Sequence, residues 1–318
     1  MQYGNKYKTI LVPVDGSEQS FETIRYVGKV LAPKETKITL FHVISQVPKS
    51  FLDFQRNPPA GNTTELNQTR NDKIEKFMEK GSAALHQQGI QPKNVKRVIQ
   101  ARQSGVARDI LSEALRGYDA VAMGRWRYKA MKNQIMGGTA NKIVNNLYNK
   151  PVWLVGKWSD PGRILIAMDG SAGAMRAFIY AKKMLWGKCS EILLYSVIRS
   201  LDDPLGETDP QVSMPEKTER NTRTNDKLKK TEENMRFRFT ECIKQLKQTG
   251  GDAIRVKSKI VIGLPGRAEG IVTEARRGGY DTVIIGRRGL SDVRQYAMGQ
   301  VCQKALTMAT DLAVWIVN

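Results

Sequence analysis

The sequence predicts an α/β protein made of two repeated units, each an open, mostly parallel five-stranded sheet with helices on both faces. Three observations carry the prediction. The chain repeats itself in order, short runs of Val, Ile and Leu alternate with longer helical patterns inside each copy, and 318 residues suit two cores of about 150 residues each. The repeat is explicit. Residues 8–17 (KTILVPVDGS) return as 162–171 (GRILIAMDGS) and residues 40–44 (LFHVI) as 194–198 (LYSVI), both displaced by 154 positions. Further on, ILSEA at 110–114 answers IVTEA at 271–275, and YDAVAMGR at 118–125 answers YDTVIIGR at 280–287, the last displaced by 162. Because the order of the blocks is kept, the chain reads as a duplicated domain, 1–158 and 159–318. The displacement grows because the second copy has a longer connection.

In the first copy the predicted strands are residues 9–14, 38–43, 95–99, 120–123 and 152–155, near-continuous in branched apolar residues as strands buried on both faces require. Between them the predicted helices run over 17–31, 72–88, 106–115 and 139–147. Ser17 and Ser171 stand where a helix N-cap hydroxyl belongs. The second copy repeats the plan with strands at 164–168, 192–197, 255–260, 282–285 and 313–317. Residues 45–70 and 200–226 are polar and read as loops or flaps after the second strand of each copy. The linker is expected near 157–161, where Trp158-Ser-Asp-Pro-Gly162 reads as a turn.

The net charge of +20 is the unusual feature of the composition. Both copies are basic, with 25 Lys and Arg against 12 Asp and Glu through residue 158, and 26 against 19 beyond it. Such an excess attracts anions (nucleotides, polyphosphate, nucleic acid or an acidic surface) without choosing among them. Cys189, Cys242 and Cys302 are far apart in sequence, which leaves no disulfide framework and no Cys-x-x-Cys pair. No apolar stretch approaches the ~20 residues of a membrane helix, so a cytoplasmic protein with no membrane partner is expected.

After the fourth strand of the second copy comes Gly286-Arg-Arg-Gly289, then nine residues, then Gly299-Gln300 at the start of a helix. Glycines let backbone N–H groups approach phosphate oxygens closely, and a helix that begins there points unpaired N–H groups and its positive end at the same anion. In open parallel sheets such a ligand lies beyond the carboxyl ends of the strands, where Asp169, Val197 and Gly286 fall. The arrangement resembles the Gly-x-x-Gly-x9-Gly-Ser/Thr loop of ATP-binding universal stress proteins. Pro13-Val-Asp-Gly-Ser17 and His42-Val43 resemble that family's first and second strand ends. The resemblance covers nearly the whole chain outside the two polar connections. It implies a Rossmann-like fold and a stress-response regulatory protein that binds ATP or ADP, with or without Mg2+. It also implies that the Asp and Val positions line the adenine and ribose while the glycines and the following hydroxyl hold phosphates.

On this resemblance the second copy is the preferred site, lined by Ala167, Asp169, Val197, Ile285, Gly286, Gly289, Gly299, Gln300 and Val301. It departs from the family with Ala167 in place of Pro and Gln300 in place of Ser or Thr. The first copy offers Pro13, Asp15, Val43, Met123, Gly124, Arg127, Gly137, Gly138 and Thr139. There Arg127 replaces the second glycine and Gly138 the hydroxyl, so the first site is either degenerate or altered. Arg127 either fills the phosphate position or clamps the phosphates. Arg287, Arg288 and Arg294, and Arg125, Lys129 and Lys132 in the first copy, are candidates for charge-assisted contacts or are simply solvated.

The closing strands, with Trp153 and Trp315, are apolar and edge-like. They either complete each domain's own core or, as the resemblance implies, pair the two domains as a pseudo-dimer, with further homodimerisation open. Catalysis has little to work with. The chain has two histidines, His42 and His86, no Gly-x-x-x-x-Gly-Lys-Ser/Thr loop and no Gly-x-Ser-x-Gly elbow. Binding is therefore expected rather than turnover, with slow ATP hydrolysis left open. The alternative is a nucleotide-independent basic scaffold for polyanions such as nucleic acid, or for an acidic protein; an aromatic content of 7% gives single-strand stacking little support.

Overall fold

In the computed structural model of the chain, residues 7–44, 63–125, 137–156, 162–185, 189–199, 214–250, 254–264, 266–289 and 298–318 are described. The chain separates into two compact units, Met1–Trp158 and Ser159–Asn318. Arg127, Lys129, Lys132, Arg294 and the linker at 157–161 lie outside the described residues.

The first unit runs β1 (Lys8–Pro13), α1 (Glu18–Val30), β2 (Thr36–Ile44), α2 (Thr63–Gln87), β3 (Val95–Ala101), α3 (Val106–Ala114), β4 (Ala120–Gly124), α4 (Gly138–Asn146) and β5 (Val152–Val155). Its strands lie in the order β3-β2-β1-β4-β5 and all pair in parallel. Two steps lead away from β1 in one direction and the next two in the other. Right-handed crossovers then place α1 and α2 on one face of the sheet and α3 and α4 on the other. The helix contacts agree, since α1 packs on α2 and α3 on α4. The chain changes direction between β1 and β4, which leaves a crevice at the carboxyl end of the sheet.

The second unit repeats the plan with β6 (Arg163–Ala167), α5 (Ala172–Leu185), β7 (Glu191–Ile198), α6 (Met214–Gly250), β8 (Arg255–Ile262), α7 (Arg267–Gly278), β9 (Thr282–Gly286), α8 (Gln300–Met308) and β10 (Ala313–Val317). Here the order is β10-β9-β6-β7-β8, so the direction changes between β6 and β9. Residues such as Leu11, Val12, Val121, Leu165, Val283 and Val314 are wholly buried, as the apolar runs require. Trp153 and Trp315 are also fully buried, and Trp315 meets Tyr180 of α5 edge-to-face at 6.1 Å. Among the described residues no helix is long and apolar enough to cross a membrane.

The polar connections differ from expectation. Helix α2 begins at Thr63 and α6 at Met214, inside segments that read as loops. Neither added stretch contains glycine, and its one proline, Pro215, sits in the first turn of α6 where its missing N–H costs nothing. Helix growth is cooperative. The packed halves, anchored by Met78 and Leu85 in α2 and by Met235, Phe239, Cys242 and Leu246 in α6, extend backward through residues with no apolar period of their own.

At the amino end of the second sheet, away from the crevice, Glu191 at the start of β7 is only 4% exposed. Its carboxylate accepts hydrogen bonds from Tyr280 Oη at 2.6 Å and from Arg163 at 2.9 Å, and pairs with Lys257 at 2.9 Å. It thereby ties β6, β8 and the start of β9 to β7. Burial by itself would raise this carboxyl, but the bonds from Tyr280, Lys257 and Arg163 outweigh it and hold the pKa at about 2, below the ordinary 4.5. A depressed folded-state pKa contributes stability above the unfolded value and loses it as pH falls through the folded one. Glu191→Gln is therefore expected to cost about 2 kcal/mol at pH 7. The deficit should shrink below pH 4.5 and vanish near pH 2. Urea denaturation midpoints of both proteins across this range check it, and a deficit independent of pH would refute the assignment.

Candidate functional site

The second unit builds its crevice from three pieces, and the described residues of the first unit repeat the first two and the glycine that opens its last helix. The first is the turn after the opening strand. In the second unit Gly170 takes φ +78°, a left-handed conformation suited to glycine, and Asp169 Oδ1 accepts the Ser171 N–H at 3.0 Å. Ser171 then caps α5, its Oγ accepting the Ala174 N–H at 3.1 Å. In the first unit Gly16 has φ +82°, Asp15 Oδ1 accepts the Ser17 N–H at 3.0 Å, and Ser17 Oγ accepts the Ser20 N–H at 3.2 Å. One carboxylate oxygen is thus spent on the turn, which fixes the direction of the other.

The second piece is the close approach of the fourth strand to the first helix. A Cβ on Gly286 would fall 2.7 Å from the Gly173 carbonyl carbon, and one on Gly173 would run into the Arg288 carbonyl. Both obstacles are backbone, so only glycine at both positions lets β9 and α5 meet. At Gly124 the neighbour is instead Gln19, whose Cγ lies 2.7 Å from a notional Cβ and whose Nε2 donates to Val155 O at 2.9 Å.

The third piece is the glycine turn itself. The Arg287 N–H donates to Val317 O at 2.6 Å and the Gly299 N–H returns to Arg287 O at 2.9 Å, which closes the turn. Gly299 is the N-cap of α8 and supplies no side-chain cap; Gly137 does the same for α4. The opening amides of both helices therefore have no capping side chain and are suited to an anion. A Cβ on Gly289 would lie 2.5 Å from Asp169 Oδ2, so this glycine keeps the space between the turn and the carboxylate open.

These pieces enclose a cavity of about 370 Å³ in the second unit, lined by Ala167, Asp169, Val197, Ile285, Gly286, Gly289, Gly299, Gln300 and Val301 together. In the first unit Pro13, Asp15, Val43, Met123, Gly124, Gly137, Gly138 and Thr139 line a cavity of about 1360 Å³. Asp15 is exposed and Asp169 half-buried, whereas Val43, Met123, Ala167, Val197 and Ile285 form buried floors. Among the described residues no three His, Cys, Asp or Glu side chains gather as a metal cluster.

The charged lining differs from the sequence-based expectation. Arg287 is 4% exposed and lines the second cavity, with its Nε anchored on Asn318 Oδ1. Arg125 is equally buried, with its N–H on Val155 O at 2.9 Å. Arg287 and Arg288 of the expected set line the second cavity, and cations from other elements join them. Arg199 at the end of β7, Arg267 at the start of α7, Arg288 and Lys304 line the second cavity, and Lys73, Lys76, Lys80, Arg102 and Lys142 the first. Lys142 and Lys304 occupy matching positions near the start of α4 and α8, where a cation opposes the helix dipole. Their recurrence across the repeat was a readable signal. Arg267 follows Gly263-Leu-Pro-Gly266, a strand-to-helix turn in which Gly263 has φ +85°, and that punctuation was also visible in the sequence. His42 lines the first cavity, but its Nδ1–H donates to Val14 O at 2.7 Å, which makes it a packed residue of β2.

Replacing Gly286 by Ala sets a methyl group against backbone and is expected to cost about 1–3 kcal/mol. A lower urea midpoint checks this, whereas unchanged stability would mean that the β9–α5 approach is looser than described.

The universal stress protein family model matches residues 6–156 and again 161–317. A universal stress protein from Archaeoglobus fulgidus aligns over 99% of this chain and 99% of its own, with 18% identity and a TM-score of 0.56. A putative universal stress protein from Pseudomonas aeruginosa aligns over 98% of this chain and 94% of its own, with 13% identity and a TM-score of 0.52. At these identities the likeness is one of fold. No curated protein sequence matches the chain.

Proposed function

Because this chain belongs to the universal stress protein family by two successive domain matches, we propose that its second domain binds ATP or ADP at the carboxyl end of its sheet and serves as a nucleotide-responsive regulatory module. The observation that carries the reading is the single cavity in which Asp169, the Gly286–Gly289 turn and the uncapped start of α8 converge. Its volume of about 370 Å³ falls within the ~300–1,000 Å³ usual for small-molecule sites. Ala167, Val197 and Ile285 give an apolar floor for a base, while the helix start, Arg288 and Lys304 supply positive charge for phosphates. One carboxylate beside the turn suits a magnesium ion carried in with the nucleotide, since such ions take one or two protein carboxylates and complete their shell with phosphate and water. The chain's charge of +20 adds a long-range pull on any such anion.

ATP at 100 times its dissociation constant is expected to stabilise the folded domain by about 2.7 kcal/mol, a rise of several degrees in the thermal midpoint. Gly289→Val pushes into the position facing Asp169 Oδ2 and should abolish that rise in the second domain. The same midpoint shift with and without the substitution would refute the assignment.

Lys304→Ala separates phosphate from base recognition. ATP affinity should fall about tenfold, the size of one lost charge-assisted contact, while adenosine affinity stays the same. Calorimetric titration with both ligands reads the difference, and an equal loss for the two would place Lys304 away from the phosphates.

A further inference from the structure

The two cavities are not copies of each other, and the difference lies in the helix after the second strand. Ile74 of α2 reaches to 3.2 Å from a notional Cβ on Gly16, and Met235 of α6 reaches to 3.5 Å from one on Gly170. These two contacts set the helices in the same register against the same turn. The buried stripes agree, Met78 and Leu85 matching Phe239 and Leu246. In that register Lys73, Lys76 and Lys80 stand where the second domain has Asn234, Phe237 and Glu241. All three lysines line the first cavity, together with Asp15 and Val43, whereas no described residue of α6 lines the second.

We propose that the first domain's cavity takes a nucleotide with a phosphate on its ribose in addition to its 5′ chain, the extra phosphate lying against Lys73 and Lys76; this rests on the nucleotide reading of the cleft given above. Apart from Arg102, just past β3, the cations of this cavity come from two walls. Gly137, Gly138, Thr139 and Lys142 form the start of α4, the end suited to a 5′ phosphate chain. Lys73 and Lys76 come from α2, on the opposite face of the sheet from α4 and beside the Asp15 turn. A ligand with one anionic end meets one wall only, whereas a ligand phosphorylated at both ends meets both. Lys73 and Lys76 are exposed, and neither forms an ion pair among the described residues. Lys80 has a second engagement, its Nζ lying 4.8 Å above the Phe21 ring. The volume of about 1360 Å³, against about 370 Å³ in the second domain, leaves room for the added group.

The test uses the full chain with Gly289→Val, so that the second cleft is disabled, and compares AMP with adenosine 3′,5′-bisphosphate and adenosine 2′,5′-bisphosphate by calorimetric titration. At least one bisphosphate is expected to bind ten times or more tightly than AMP. Lys73→Ala with Lys76→Ala should remove the preference, and Lys73→Arg with Lys76→Arg should restore it. Equal affinity for AMP and both bisphosphates, no binding of any of them, or a preference that survives the double alanine change would each overturn the proposal. The parent reading fails on a different result, namely ATP affinity in the second domain unaffected by Gly289→Val; the bisphosphate preference is then read from its loss on Lys73→Ala with Lys76→Ala, which leave the second cleft unchanged.

Discussion

Everything at the carboxyl end of the second sheet depends on two backbones meeting without side chains between them. Gly286 at the end of β9 and Gly173 in the first turn of α5 each stand where a single methyl group would strike the other segment's main chain. Their approach lets the strand end and the helix lie side by side, which sets the Arg287 N–H on Val317 O and returns the chain to Gly299. The turn, the uncapped start of α8 and the Asp169 carboxylate then face one volume. A side chain at either glycine would part the strand from the helix and separate the three groups whose convergence makes the cleft.

The structure also divides labour along the strands. At the amino end, polar side chains are consumed by one another, as when Glu191 gathers Arg163, Lys257 and Tyr280 and Asp119 accepts both the N–H and the hydroxyl of Thr9. At the carboxyl end, cations such as Lys304, Lys142, Lys73 and Lys76 line cavities in which carboxylates are few. Charge satisfied internally holds the sheet together, and charge left facing a cavity is available to an anion.

Duplication has kept the frame and changed the lining. Both copies retain the Asp-Gly-Ser turn, whose glycine takes a positive φ, the glycine ending the fourth strand and the glycine that opens the last helix. Among the residues that have drifted are Lys73, Lys76 and Lys80 of α2, which line the first cavity, whereas no described residue of α6 lines the second.

Much of this was legible in the chain itself. The repeat, the strand runs and the glycine spacing follow from short-range sequence order, and short-range order decides which residues are strands, turns and helix starts. What local order could not convey is which side chains share a volume. Arg287 reads as a phosphate contact because it sits inside the glycine turn; it lines the cavity, but Asn318, 31 residues away, anchors its guanidinium. Arg199, Arg267 and Lys304 read as unremarkable cations on three separate elements, yet the change of strand direction between β6 and β9 brings them to one cavity. The sequence by itself determined two domains, their parallel sheets and the turns at the strand ends, since each of these rests on backbone preference and apolar period. Only the tertiary structure decided which charges face each cavity, because that depends on how helices tens of residues apart pack over the same strand ends.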